Sequence, residues 1–213
     1  MQLLSAERRK LLLEAARSYR QSLPGSPGES HLRDRGLDSP KNRFGLGFVE
    51  NPAVGHERFA GMLAIPYVKN KDLIVQIRFR CILDGCEHHG HGKYNTETGD
   101  TGHLYNTLSL QANPDVVVVC EGEMDAIASE FAGVRAVGVP GANSWKKAWR
   151  RILAPVPTVI VVGDGDEPGR MFTKQVQNGL PGSRAVELPD GTDINSLVVD
   201  KGPEYLKEIL RID

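Results

Sequence analysis

The feature that most restricts this fold is the run Val116-Val117-Val118-Val119-Cys120. Four consecutive β-branched residues without polar alternation cannot present one wet face, so the segment reads as a strand buried on both sides. Strands of that kind belong to parallel sheets covered by helices, and the downstream sequence has the alternation this demands. A helical stretch at 123–131 is followed by strand 135–139, helix 144–152, strand 158–163, helix 168–178, strand 184–188 and a terminal helix 203–210. Strict alternation implies right-handed crossovers and a parallel sheet with helices on both faces.

The first half has a different style. Leu12, Ala15, Ala16, Tyr19 and Leu23 recur at helical spacing, predicting a helix over 5–22 that begins near Ser5. Gly and Pro punctuate 24–52, with one short helix at 29–35 closed by Gly36. Segments 62–67 and 72–80 read as antiparallel strands joined through 69–71, the second alternating Leu73, Val75, Ile77 and Phe79. Residues 81–111 have few apolar anchors and read as loops and short strands. The expected domains are 1–111 and 112–213, a reasonable division for 213 residues, about 1.4 times the usual domain size.

Charge divides along the same line. Residues 1–111 hold 15 Lys+Arg against 12 Asp+Glu and all six histidines; residues 112–213 hold 11 against 15. A mildly basic half joined to an acidic one suits a polyanion on one lobe and divalent cations on the other. A content of 40% hydrophobic and 25% charged residues excludes collagen-like, disordered and disulfide-scaffold chains. Three cysteines do not make a disulfide framework, and no apolar run spans a bilayer. With no secretion signal at the N-terminus, a cytoplasmic, membrane-free protein is expected.

In open α/β sheets, sites form beyond the carboxyl ends of the strands. Three of the four loops there carry acids: Glu121-Gly122-Glu123-Met124-Asp125, Asp164-Gly165-Asp166, and Asp190-Gly191-Thr192-Asp193-Ile194-Asn195. An acid before a helix is ordinarily an N-cap. Several at one sheet edge repel one another unless a cation intervenes, and an oxygen-rich site selects Mg²⁺ or Mn²⁺.

These loops resemble the TOPRIM domain of DnaG-type bacterial primases, type IA and II topoisomerases and some nucleases. EGEMDA at 121–126 resembles the primase Glu motif, GDGDEPGR at 163–170 the DGDxAG motif with Pro168 for Ala, and LPDGTDINSLV at 188–198 the motif LPDGxDPDxLV. Asn195 stands where that last motif has its second Asp. Upstream, RGL at 35–37, FGLG at 44–47, GMLAIPY at 61–67 and KYNTETGDTGHLYNT at 93–107 resemble the basic subdomain of the DnaG RNA polymerase core, with His103 where the family has a basic residue before LYG. The resemblance covers residues 10–210. It implies a TOPRIM Rossmann-like parallel sheet flanked by helices, preceded by a smaller α+β basic subdomain.

The activity so implied is a primase core, synthesising RNA primers on single-stranded DNA by two-metal nucleotidyl transfer. The resemblance makes Glu121, Asp164 and Asp166 catalytic. With Asp193 they would hold Mg²⁺ or Mn²⁺, unless Glu121 is instead the general base; Asp125 is an auxiliary ligand or stands behind the ligands, and Asn195 keeps a neutral oxygen ligand with one charge fewer. Arg78, Arg80 and Lys93 would contact template or nucleotide phosphates, whereas Lys146, Lys147, Arg150 and Arg151 read as a solvated helix. Cys81, Cys86, His88, His89 and His91 invite a zinc reading. Their spacing is not that of a known zinc ribbon, however, and simple polar contacts are preferred. Cys120 reads as a core residue. The family's zinc-ribbon and helicase-binding domains have no counterpart here, so a replicative helicase or a zinc-domain factor is an expected partner. The rival readings are a TOPRIM nuclease and a non-catalytic binder of single-stranded DNA or a replication protein. A topoisomerase is not expected, because a strand-cleaving tyrosine domain would not fit beside the TOPRIM region in 213 residues.

Overall fold

The computed structural model describes residues 4–38, 43–70, 72–99 and 102–212. It divides into two units, Met1–Thr101 and Gly102–Asp213. The second begins ahead of the expected boundary at 112, because Leu104 joins its core and Tyr105 bridges to Gly138.

In the first unit, Ser5 caps helix α1 (Ala6–Gln21) by accepting from the Arg8 amide, and Ser26 caps α2 (Pro27–Asp34), which has Pro at its first position. Gly36 follows α2 with φ +63°, a left-handed turn that glycine takes without steric cost. Strands β1 (Gly47–Phe48), β2 (Leu63–Asn70), β3 (Leu73–Arg80) and β4 (Tyr94–Asn95) form an antiparallel sheet in chain order. The expected link through 69–71 includes Lys71, which lies outside the described residues; β2 itself continues to Asn70. The apolar stripe of α1 (Leu12, Ala15, Ala16, Tyr19) is buried against Phe59, Ile77 and Phe79. Phe59 and Phe79 stack with ring centroids 4.0 Å apart. Each large apolar side chain buried in this way contributes about 1.5–3 kcal/mol.

The second unit has strands β5 (Val116–Cys120), β6 (Ala136–Gly138), β7 (Thr158–Val162) and β8 (Arg184–Val186), all parallel, in the order β6-β5-β7-β8. Val117, Val119, Val159 and Val161 face a layer containing Trp149, Leu153, Phe172 and Val176 from α4 (Arg150–Leu153), the short 3₁₀ turn before it, and α5 (Glu167–Gly179). Val118 and Ile160, also fully buried, alternate to the opposite face. Helices α3 (Glu123–Phe131), α6 (Ile194–Lys201) and α7 (Pro203–Leu210) pack together. This is the α/β architecture expected, with two local differences. The predicted helix 144–152 is a 3₁₀ turn (Lys147–Trp149) running into α4, where Trp145 and Trp149 pack edge-to-face at 5.8 Å. Helix α6 occupies a stretch for which the sequence pattern predicts no element.

Candidate functional site

Strand order explains where the acids meet. β6 lies on one side of β5 and β7 on the other, so sheet growth reverses at β5, which leaves a crevice between the carboxyl ends of β5 and β7. Cys120 pairs in register with Val162. Glu121 and the Gly163-Asp164 segment therefore leave the sheet side by side, and the Asp164 amide donates to Glu121 Oε2 at 3.4 Å.

Glu121 is half-buried, and its proton affinity is raised. Burial is the main cause; the Asp164 amide opposes it, and the Asp166 and Asp125 charges reinforce it. Asp125, 9% exposed on the first turn of α3, accepts the Asn195 amide at 3.2 Å and so ties α3 to the start of α6. Asp166 caps α5 by accepting from Gly169 N at 2.8 Å. Asp193 caps α6 in a reciprocal box, taking the Ser196 amide at 2.6 Å while its own amide donates to the Ser196 hydroxyl at 3.0 Å. Capping and cation binding are compatible, since a carboxylate has about four lone-pair sites.

The two acidic loops are joined directly. Gly165 N donates to Thr192 O at 2.8 Å, and Gly191 N donates to Gly165 O at 2.8 Å. The approach is so close that a Cβ on Gly165 would lie 2.0 Å from Pro189 O. Glycine between the two aspartates is thus required by packing.

The donor set around Glu121 is all oxygen, and among the described residues Glu121 makes no ion pair. A hard divalent cation relieves the penalty on its charge, so these residues fit Mg²⁺ or Mn²⁺. The acids do not close on a single point. Among the described residues, the one set of three or more His, Cys, Asp or Glu side chains that does so is Cys81, Cys86, His88 and His91, in the other unit. Spread carboxylates suit Mg²⁺, which keeps several waters and takes one or two carboxylates.

Arg78 and Arg80 differ from the solvated or phosphate-tracking strand face that alternation suggests, being 9% and 4% exposed. Both guanidiniums lie over the Tyr94 ring, at 4.9 and 5.1 Å, and Arg80 donates to the Tyr94 hydroxyl. Sequence reasoning misses Tyr94 because nothing local links it to β3; the β3–β4 pairing of Arg80 with Tyr94 does so. Nearby His31 is held neutral, its pKa lowered to about 4 by burial and then by the Arg80 and Arg35 charges. Lys93 is exposed. Lys147, Arg150 and Arg151 are exposed as expected, while Lys146 donates to Gly102 O at 3.1 Å. Cys120 is fully buried. His89 turns out to Glu87 at 2.7 Å, away from the four convergent ligands. No helix among the described residues is long and apolar enough to cross a membrane.

A parallel sheet with a glutamate after its first strand and an Asp-Gly-Asp after its third defines a TOPRIM-type class, and a Toprim-like family model matches residues 118–198. The Gene 57 protein of Mycobacterium phage D29 is 40% identical over 154 residues, covering 70% of this chain and 98% of that protein. The DNA primase of Pseudomonas putida is 27% identical across 91% of this chain, which spans 36% of that primase's length. The crystal structure of a DNA primase domain from Pseudomonas aeruginosa matches with a TM-score of 0.78 at 26% identity, over 95% of this chain and 78% of that one. The chain belongs to the DnaG-type primase family and carries its TOPRIM domain.

Proposed function

We propose that this chain is the catalytic core of a primase, joining ribonucleotides into short RNA primers on a single-stranded DNA template. The observation that supports this is the adjacency of Glu121 and Asp164 beyond β5 and β7, in a chain of the DnaG-type family. Glu121, Asp164, Asp166 and Asp193 are the residues that would hold Mg²⁺ or Mn²⁺. When bound, such cations neutralise the triphosphate and lower the pKa of the attacking hydroxyl. The 3′-oxygen of one ribonucleotide bonds to the α-phosphorus of the next, the α–β phosphoanhydride bond breaks, and pyrophosphate leaves. A Glu121 that does not ligate a cation keeps its raised proton affinity and is suited instead to accept the hydroxyl proton. Asp125 and Asn195 hold α3 and α6 in place behind it. Arg78 and Arg80, ordered on Tyr94, and the exposed Lys93 supply positive charge for template or nucleotide phosphates. A replicative helicase or a separate zinc-domain factor would concentrate the enzyme on its template.

The test is incubation of the protein with single-stranded DNA, NTPs and Mg²⁺ or Mn²⁺, with products resolved by size and Glu121→Gln as control. Short RNA products that vanish in the control support the reading. Cut DNA without RNA synthesis replaces it with a TOPRIM nuclease, and metal-independent DNA binding with neither product replaces it with a binding protein.

A further inference from the structure

We propose that Cys81, Cys86, His88 and His91 form a tetrahedral zinc site that staples the loop between β3 and β4. Spacing alone argues against zinc, but the fold brings together what the spacing leaves open. One ligand atom from each of the four residues lies within 4.8 Å of all the others. Zinc bonds of about 2.3 Å to sulfur and 2.0–2.1 Å to nitrogen give a tetrahedron with edges of about 3.3–3.8 Å. One edge already has that length, with Cys86 Sγ 3.6 Å from His91 Nε2, and no other exceeds 4.8 Å, so closing the tetrahedron takes a contraction of at most about 1.5 Å along any edge.

The orientation of the imidazoles is the second, independent observation. His91 Nδ1 lies 3.0 Å from Gly92 O, so its N–H donates there and the Nε2 lone pair faces Cys86. A ligating histidine is characteristically held in this way, its other nitrogen donating to a carbonyl. His88 Nδ1 is buried and makes no hydrogen bond, a costly state that a metal bond removes. His88 also adopts φ +58°, unusual outside glycine, and its ring meets that of His91 at 5.4 Å. Such strain persists where the surroundings impose it.

Binding releases both thiol protons to solvent, and two thiolates with two neutral imidazoles around Zn²⁺ leave the site uncharged. The thiolate and imidazole set selects zinc over Mg²⁺, so this site is chemically separate from the carboxylates. Its position gives it a consequence. The Cys81 amide donates to Lys93 O at 2.9 Å, closing the loop at its base, and the staple would fix the loop above the ribbon that carries Arg80 and Tyr94. Only this last consequence rests on the proposed template contact; the metal site does not.

The test uses the full chain purified under reducing conditions. Elemental analysis is expected to find one zinc per chain, and exchange into Co²⁺ to give thiolate-to-metal charge transfer with tetrahedral visible bands. Cys86→Ser and His91→Ala are expected to lose both signals, whereas His89→Ala keeps them. In case these variants misfold, alkylation of the unmodified chain provides a second readout: Cys81 and Cys86 protected with zinc and labelled after chelation. Any of three results overturns the proposal: protein without zinc that takes up no Co²⁺, equal labelling with and without chelator, or a Cys81–Cys86 disulfide in place of the metal. None of these readouts depends on primer synthesis.

Discussion

Replacing Gly165 by alanine tests whether the two acidic loops form one mechanical unit. The new Cβ would lie 2.0 Å from Pro189 O and 3.2 Å from Thr192 O, both backbone atoms without rotamers in which to retreat. Relief requires the 163–166 and 189–193 loops to separate by about 1 Å, which breaks the bonds Gly165 N→Thr192 O and Gly191 N→Gly165 O. Each such bond contributes about 1 kcal/mol net. Overpacking a tight contact costs a further 1–3 kcal/mol or so. The expected loss is about 3–5 kcal/mol of unfolding free energy, read by urea titration with an unchanged m-value. The same movement pulls Asp193 away from Asp164 and Asp166, so the Mg²⁺ concentration needed for half-maximal primer synthesis should rise at least tenfold. Gly191→Ser is the contrast: it meets no atom within 4 Å but sits at φ +74°, so its cost is backbone strain of about 1–2 kcal/mol without loop separation. A Gly165→Ala protein within 1 kcal/mol of the parent and with unchanged Mg²⁺ dependence would refute the reasoning.

The raised pKa of Glu121 has a signed consequence. Above its unfolded pKa the native state holds the extra proton, so the metal-free protein loses stability as pH rises through the raised value. Glu121→Gln should therefore melt higher than the parent at neutral pH in EDTA, with the gain vanishing in acid, while primer synthesis falls by more than tenfold, above about 1.4 kcal/mol. By the same logic Mg²⁺ should raise the parent's melting temperature more at neutral than at acid pH, as calorimetry at both will show. Asn195→Asp introduces a carboxylate at a position 3% exposed and bonded to Asp125, so it should destabilise the metal-free protein but enlarge the Mg²⁺-induced thermal shift. Lys93→Ala should weaken single-stranded DNA binding and make the salt slope shallower by about 0.7 for each phosphate no longer neutralised, measured by anisotropy across a salt series.

The sheet is legible in the sequence because Val116 to Val119 admit one environment only, and the acids are legible because a parallel sheet has one reactive edge. Helix α6 escapes notice although Asp193 and Ser196 carry a capping signal ahead of Leu197 and Val198. Reading Asp193 as a ligand hides its second role as a cap. The surroundings of Arg78 and Arg80 are illegible for a physical reason. Period-two alternation says which residues share a face, and not what covers it; Tyr94 arrives from a strand of two residues that no pattern announces. The convergence of Cys81, Cys86, His88 and His91 is illegible in the same way, since spacing does not encode the left-handed turns at Gly85, His88 and Gly90.

The bridge between Tyr105 and Gly138 has a consequence for the solubility of fragments. β6 is the outermost strand on its side of the parallel sheet, and an uncovered edge is a template for pairing with another chain. The Tyr105 amide donates to Gly138 O at 2.8 Å and Gly138 N returns a bond at 3.3 Å, so the segment entering the second unit acts as a guard on that edge. Asn106 extends the cover, its amide group donating to Ala136 O at 2.8 Å, and Leu104 fills the core beneath. A fragment begun at residue 112 would bare this edge and empty that space together. One begun at 102 carries its own guard, and is the shorter chain to choose for keeping the TOPRIM unit from self-association.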